Sequence, residues 1–161
     1  MIPQTTTASM PRTLILALGN PLRGDDGVGP AVIDELRLVK RRSRDFTLLD
    51  GGTRGLEILS LLQDYERIIV VDAGDIGRAP GKWACFSLEE MVGQPAHTAL
   101  HSAGLADALA LDATLGILPP EIVIYVIQPL HVDWKPGLSQ PVQRAVPAVH
   151  EAIVQRLYGV A

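Results

Sequence analysis

The sequence predicts an α/β fold: a three-layer, twisted, mainly parallel five-stranded sheet with helices on both faces. Three observations predict it. Apolar runs of strand length alternate with amphipathic stretches of helix length. The central runs are nearly continuous and β-branched, as strands covered on both faces require. The chain has 161 residues, with no internal repeat, low-complexity block or linker, which suits one domain.

Met1–Arg12, rich in Thr, Ser and Pro, reads as a flexible arm, leaving residues 13–161 as a single α/β domain. Thr13–Leu18 is the first expected strand. A helix over Gly29–Arg42 follows, because Val32, Ile33, Leu36 and Val39 recur at helical spacing while Asp34, Glu35, Arg37 and Lys40 take the wet side. Phe46–Leu49 supplies the second strand and Gly55–Gln63 the second helix. Arg67–Asp72 is the third strand, its Ile68, Ile69, Val70 and Val71 marking it as central. Lys82–Ser87 and Glu121–Ile127 complete the five, with further helices expected over Ser102–Leu115 and Pro141–Leu157. Sequential βα units imply right-handed crossovers.

Composition narrows the function. Lys and Arg number 14 against 18 Asp and Glu, for a net charge of -4, whereas a nucleic-acid footprint is basic. The lone Cys85 forms no internal disulfide and no thiolate metal cage. No apolar run approaches the ~20 residues of a membrane span, so no membrane and a cytoplasmic location are expected.

Ligands of open α/β sheets bind beyond the carboxyl ends of the strands, where strand order reverses. The residues after the strands therefore carry the functional reading. Strand one runs into Gly19-Asn-Pro-Leu-Arg-Gly-Asp-Asp-Gly-Val-Gly-Pro30. This is no phosphate cradle: it lacks the Lys-Ser/Thr of a Walker A loop and fails G-x-G-x-x-G, and Asp25 and Asp26 repel phosphate. So acidic a turn suits a cation or a general base. Strand two ends at Asp50-Gly-Gly-Thr53 and strand three at Asp72-Ala-Gly-Asp75. With these three strands as neighbours, Asp26, Asp50 and Asp72 converge on one sheet edge. Asp50 either joins that group or shapes its turn, and Asp25 either does chemistry or bonds the loop backbone. Asp72 follows four β-branched residues, where an unpaired carboxylate is costly, and is assigned to function.

Four histidines are present: His97, His101, His131 and His150. His101 opens the expected Ser102–Leu115 helix, where the macrodipole favours a neutral, metal-ready ring. His97 reads as a cap or surface residue, His150 as surface, and His131 is undecided. Two carboxylates and an imidazole suit a borderline ion, nickel or zinc, better than Mg or Ca. A serine or cysteine nucleophile is not expected: there is no G-x-S-x-G elbow, Cys85 lies in a strand, and Ser102 points away from its neighbour His101.

Gly19-Asn20-x-Leu22-x-Gly24-Asp25-Asp26-Gly27-x-Gly29, Asp50-Gly51-Gly52-Thr53, Val70-Val71-Asp72-Ala73 and His101-x-x-x-Leu105 resemble the nickel-iron hydrogenase maturation proteases. Ile127-Gln128-Pro129 and Gly137-Leu138-Ser139-x-Pro141-Val142 resemble that family's closing segments, so the likeness runs from about Thr13 to Leu157. The resemblance implies a phosphorylase/hydrolase-like sheet and an endopeptidase that removes the C-terminal extension of the hydrogenase large-subunit precursor after nickel insertion. It places the family's metal-contacting and catalytic positions on Asp26, Asp72 and His101. It further implies that nickel arrives with the substrate and that the resting enzyme holds none. Two departures stand out, a longer N-terminal arm and Leu130-His131 where an acid is common, in a loop expected to meet the substrate.

Two schemes follow for the cut. Either the nickel polarises a water whose proton goes to Asp26 or Asp25, or nickel only docks the substrate and an acid such as Asp50 activates water. A permanently metallated hydrolase and a non-catalytic large-subunit chaperone are the rival readings. A monomer is expected, because the apolar stripes are all assigned to helix-sheet packing.

Overall fold

Thr13–Leu18 forms β1, and all six of its residues are buried. A strand this apolar on both faces belongs at a sheet centre. In the computed structural model, which describes residues 9–43, 45–53, 56–95, 98–99, 101, 109–110, 116, 119 and 121–159, β1 has a neighbour on either side. β2 (Phe46–Gly52) and β3 (Arg67–Ala73) both pair with it in parallel, Ile15 facing Leu48 on one side and Ile69 on the other. β5 (Glu121–Ile127) pairs with β3 in parallel, and β4 (Trp83–Ser87) closes the edge antiparallel to β5. The order is β2-β1-β3-β5-β4. The chain leaves β1 to one side for β2 and returns on the other for β3, so the switch point lies between β1 and β3.

Side chains alternate across the sheet and build two cores. Ile15, Ala17, Ile69, Val71 and Tyr125 face α1 (Val28–Lys40) and α4 (Gln140–Tyr158). Val32, Ile33 and Leu36 of α1 and Val149 and Ile153 of α4 are at most 1% exposed, each burial worth about 1.5–3 kcal/mol. Leu14, Leu16, Leu18, Ile68, Val70 and Ile124 face the other way, onto Ile58, Leu62, Met91 and Leu109. Two short helices lie there: α2 (Leu59–Leu62), entered through a 3-10 turn at Leu56–Ile58, and α3 (Leu88–Val92). α3 starts with a capping box, in which Ser87 accepts from the Glu90 N–H while the Glu90 carboxylate accepts from the Ser87 N–H.

The elements follow the sequence closely, with several differences, the unforeseen α3 among them. β2 continues three residues past Leu49, because Leu18 pairs with Gly52 beyond a register shift, and so Asp50 lies on an edge strand rather than in a turn. Within the expected Gly55–Gln63 helix, the described residues form a 3-10 turn and one α-turn, with Ile58 and Leu62 buried against the sheet. Of the expected arm, residues 1–8 lie outside the described residues. Arg12 is bonded to the sheet: its N–H donates to Glu66 Oε2 at 2.8 Å and its carbonyl accepts from Glu66 and Arg67. Most of the expected Ser102–Leu115 helix also lies outside the described residues, as does His97. Among the described residues, no helix is long and apolar enough to cross a membrane.

Candidate active site

The turn after β1 is a 3-10 turn at Gly24–Gly27 that leads straight into α1, and both of its acids are fully buried. They do different work. Asp25 is consumed by the fold: its carboxylate accepts from the Leu130 N–H at 2.8 Å, the His131 N–H at 3.3 Å, the Ser139 N–H at 2.7 Å and the Ser139 hydroxyl at 2.8 Å. These bonds fasten the loop after β5, and the start of α4, to the first turn. Asp25 is therefore no candidate for the general base.

Asp26 points to the switch crevice. Its Oδ2 accepts the Asn20 N–H at 2.9 Å, while Oδ1 is buried with no hydrogen-bond partner among the described residues. The turn can place it there because residue 19 is glycine: φ is +122°, and a Cβ would lie 2.0 Å from the Asp26 carbonyl oxygen. Asp72, near the end of β3, is also fully buried. It holds His101 twice, accepting the His101 N–H at Oδ2 (2.8 Å) and facing the ring Nδ1 with Oδ1 (3.2 Å). The His101 ring Nδ1 also lies 3.5 Å from Asp26 Oδ1. Gly74 makes this approach possible, since a Cβ there would sit 1.7 Å from the Thr98 carbonyl oxygen, on the segment that leads to His101.

Asp26, Asp72 and His101 thus offer ligand atoms all within 4.8 Å of one another. A divalent ion with bonds of about 2.1 Å in tetrahedral array holds its ligand atoms about 3.4 Å apart. The Nδ1 distances of 3.2 and 3.5 Å bracket that spacing. Asp26 Oδ1, which makes no hydrogen bond among the described residues, and the mixed oxygen and nitrogen donors fit a borderline divalent ion.

Electrostatics corrects one expectation. Burial pushes the Asp26 carboxyl up, with the Asp72 charge adding to it against the Asn20 N–H, His101 and Arg23. His101 is pushed above its ordinary 6.5, first by its hydrogen bond to Asp72 and then by the charges of Asp72 and Asp26, which outweigh burial. The shift runs opposite to the one a helix dipole would give. The neighbouring carboxylates favour the protonated ring, and a cation bound there would take that proton's place.

The other singled-out residues fall elsewhere. Asp50 is exposed on β2, where it accepts the Gly52 N–H at 3.1 Å, and it does not join Asp26 and Asp72. His131 packs on Gly24, with its Nδ1 buried. His150 lies on α4, outside the group. Cys85 lies on β4 opposite Tyr125, where burial pushes its thiol up, away from thiolate chemistry. Sequence reasoning gave no role to Gly74 or to the Asn20 N–H. The first is visible only once the chain path past β3 is known, and the second is a backbone group.

An open α/β sheet with two buried carboxylates and an imidazole at its switch point defines a protein of the enzyme class, equipped for acid-base work and for a divalent ion. A family model described as hydrogenase maturation protease matches residues 30–156. The chain is 33% identical to the hydrogenase expression/formation protein HupD of Rhizobium leguminosarum bv. viciae, over 94% of this chain and 77% of that one. It is 27% identical to the hydrogenase 2 maturation protease of Escherichia coli K12, over 91% and 90% of the two chains. Among solved structures, the [NiFe] hydrogenase maturation protease HybD from Thermococcus kodakarensis superposes with a TM-score of 0.72 at 28% identity, covering 91% of this chain and 99% of that one. The hydrogenase maturating endopeptidase HybD of E. coli shares the fold, with a TM-score of 0.78 at 24% identity over 92% and 93%. The chain belongs to the hydrogenase maturation protease family and is a peptidase of the hydrolase class.

Proposed function

We propose that this protein is the endopeptidase that removes the C-terminal extension from the precursor of a nickel-iron hydrogenase large subunit, acting after nickel insertion, as a cytoplasmic monomer. The observation that carries this reading is the Asp26–Asp72–His101 group, with both carboxylates buried and Asp26 Oδ1 making no hydrogen bond among the described residues. In this reading the three side chains form a partial shell that is completed on nickel carried by the precursor, and the resting enzyme needs no ion of its own. A precursor without nickel cannot supply those bonds, so specificity comes from coordination that only the loaded substrate offers.

The same group serves the cut. Asp25 is engaged in four hydrogen bonds and Asp50 is exposed on β2, which leaves Asp26 to accept the proton of the attacking water. Its Oδ1 has two lone pairs, enough for a metal bond and a hydrogen bond, and its raised pKa makes it the stronger base. Water oxygen bonds to the scissile carbonyl carbon, its proton passes to Asp26, and the C–N bond breaks as that proton moves to the departing amine. Asp72 holds His101 in place throughout.

Incubating nickel-loaded precursor with the protein and measuring intact mass tests the reading. Wild-type protein releases the C-terminal peptide. Asp26→Asn, Asp72→Asn and His101→Ala, each checked for folding, lower the rate by at least about a hundredfold, the scale of losing a general base or a charged ligand. Full cleavage by all three variants removes the proposed site.

A further inference from the structure

Arg23 opens the turn that carries Asp26, its carbonyl accepting the Asp26 N–H at 3.2 Å. Its side chain is half-buried, and Nε is shut away from solvent with no hydrogen-bond partner among the described residues. No carboxylate among the described residues pairs with it. The guanidinium instead lies 5.2 Å from the centre of the Trp134 ring. Trp134 itself is 76% exposed, and Leu130 on the same loop and Leu22 beside Arg23 are each 56% exposed. The two loops are laced together, the Gly24 N–H donating to the Lys135 carbonyl at 2.8 Å and the Asp25 N–H to the His131 carbonyl at 3.1 Å. A guanidinium with no carboxylate partner among the described residues, under an aromatic ring kept at the surface, suits an acceptor from outside the chain. Arginine and tryptophan flanked by apolar groups are the usual anchors of a protein interface. Arg23 also belongs to the site electrostatically, its charge working to lower both Asp26 and His101.

We propose that Arg23, held by Trp134, binds a main-chain carbonyl oxygen of the precursor beside the bond that is cut. The inference rests on the endopeptidase reading above. A guanidinium has only donors, so its ligand is an oxygen, and the main-chain carbonyl is the oxygen an extended segment presents whatever its side chains. Leu22, Leu130 and Trp134 receive the apolar parts of the same segment. Arg23 touches the substrate, whereas Trp134 is a positioning residue that aims the guanidinium.

Cleavage kinetics on nickel-loaded precursor test this with Arg23→Met, Arg23→Lys and Trp134→Ala beside wild type, each with its melting temperature. Arg23→Met lowers kcat/KM by about ten- to a hundredfold, the loss expected for one charged hydrogen bond. Arg23→Lys recovers part of it, keeping the charge without the planar fork. Trp134→Ala, at an exposed position, melts with wild type and raises KM severalfold with kcat retained. Cleavage by Arg23→Met at the wild-type rate overturns the proposal. So does a collapse in melting temperature shared by Arg23→Met and Trp134→Ala, which assigns the pair to stability. Failure of the underlying reading looks different: the precursor then stays uncut with wild type as well, and this inference falls with it.

Discussion

Two adjacent aspartates divide the work of the first turn. Asp25 accepts three backbone N–H groups and a hydroxyl, and truncating it leaves those part-buried donors without their acceptor. Asp25→Ala is expected to destabilise the protein by roughly 3 kcal/mol or more, measured by chemical denaturation, although the side chain takes no part in the chemistry. Asp26 keeps an oxygen for a ligand. That both are acidic and follow a strand was plain in the sequence. Which one faces the crevice was not, because neighbouring side chains in a 3-10 turn diverge and only the backbone path decides their directions.

His101 carries the pH behaviour. Its hydrogen bond to Asp72, with the charges of Asp72 and Asp26, raises its pKa from the ordinary 6.5. A raised value means that its stabilising contribution is complete below 6.5 and is lost as pH rises through the folded-state pKa. NMR titration of the imidazole in Asp72→Asn is expected to show the pKa falling back from the wild-type value. The dipole argument from sequence pointed the other way, since it counted a helix terminus and omitted two carboxylates at 3.2 and 3.5 Å.

At the scale of elements, β1 and β3 are the strands that matter, because each delivers one acid to the switch point. Their apolar, β-branched runs made them legible, and Thr13–Leu18 and Glu121–Ile127 coincide with the expected ranges. β2 was read three residues short because Asp50-Gly51-Gly52 has the composition of a turn, while pairing with β1 overrides that preference. With that extension Asp50 leaves the candidate site. The return from β3 to His101 depends on Gly74, whose absent Cβ admits the Thr98 and Ala99 backbone. Gly74→Ala forces that segment away, and the expected result is a loss of divalent-ion binding of at least about tenfold, read by calorimetry with Ni²⁺.

The whole molecule gathers its chemistry at one end of the sheet. Strand order brings Asp26, in the turn that follows β1, and Asp72, on β3, to the reversal, and α1 and α4 cover the face behind them. Family membership agrees with that geometry, and the modest net charge of -4 says less about function than where those acids sit. The lack of a cysteine cage is consistent with a site that meets its metal in the substrate. The central claim is that Asp26, Asp72 and His101 read nickel carried by the precursor. It is tested most directly by intact-mass measurement of nickel-loaded and nickel-free precursor, each mixed with wild-type protein purified without added metal. The account predicts loss of the C-terminal peptide from the loaded precursor alone. Equal cleavage of both forms, or a stoichiometric metal already seated in the isolated protein, contradicts it.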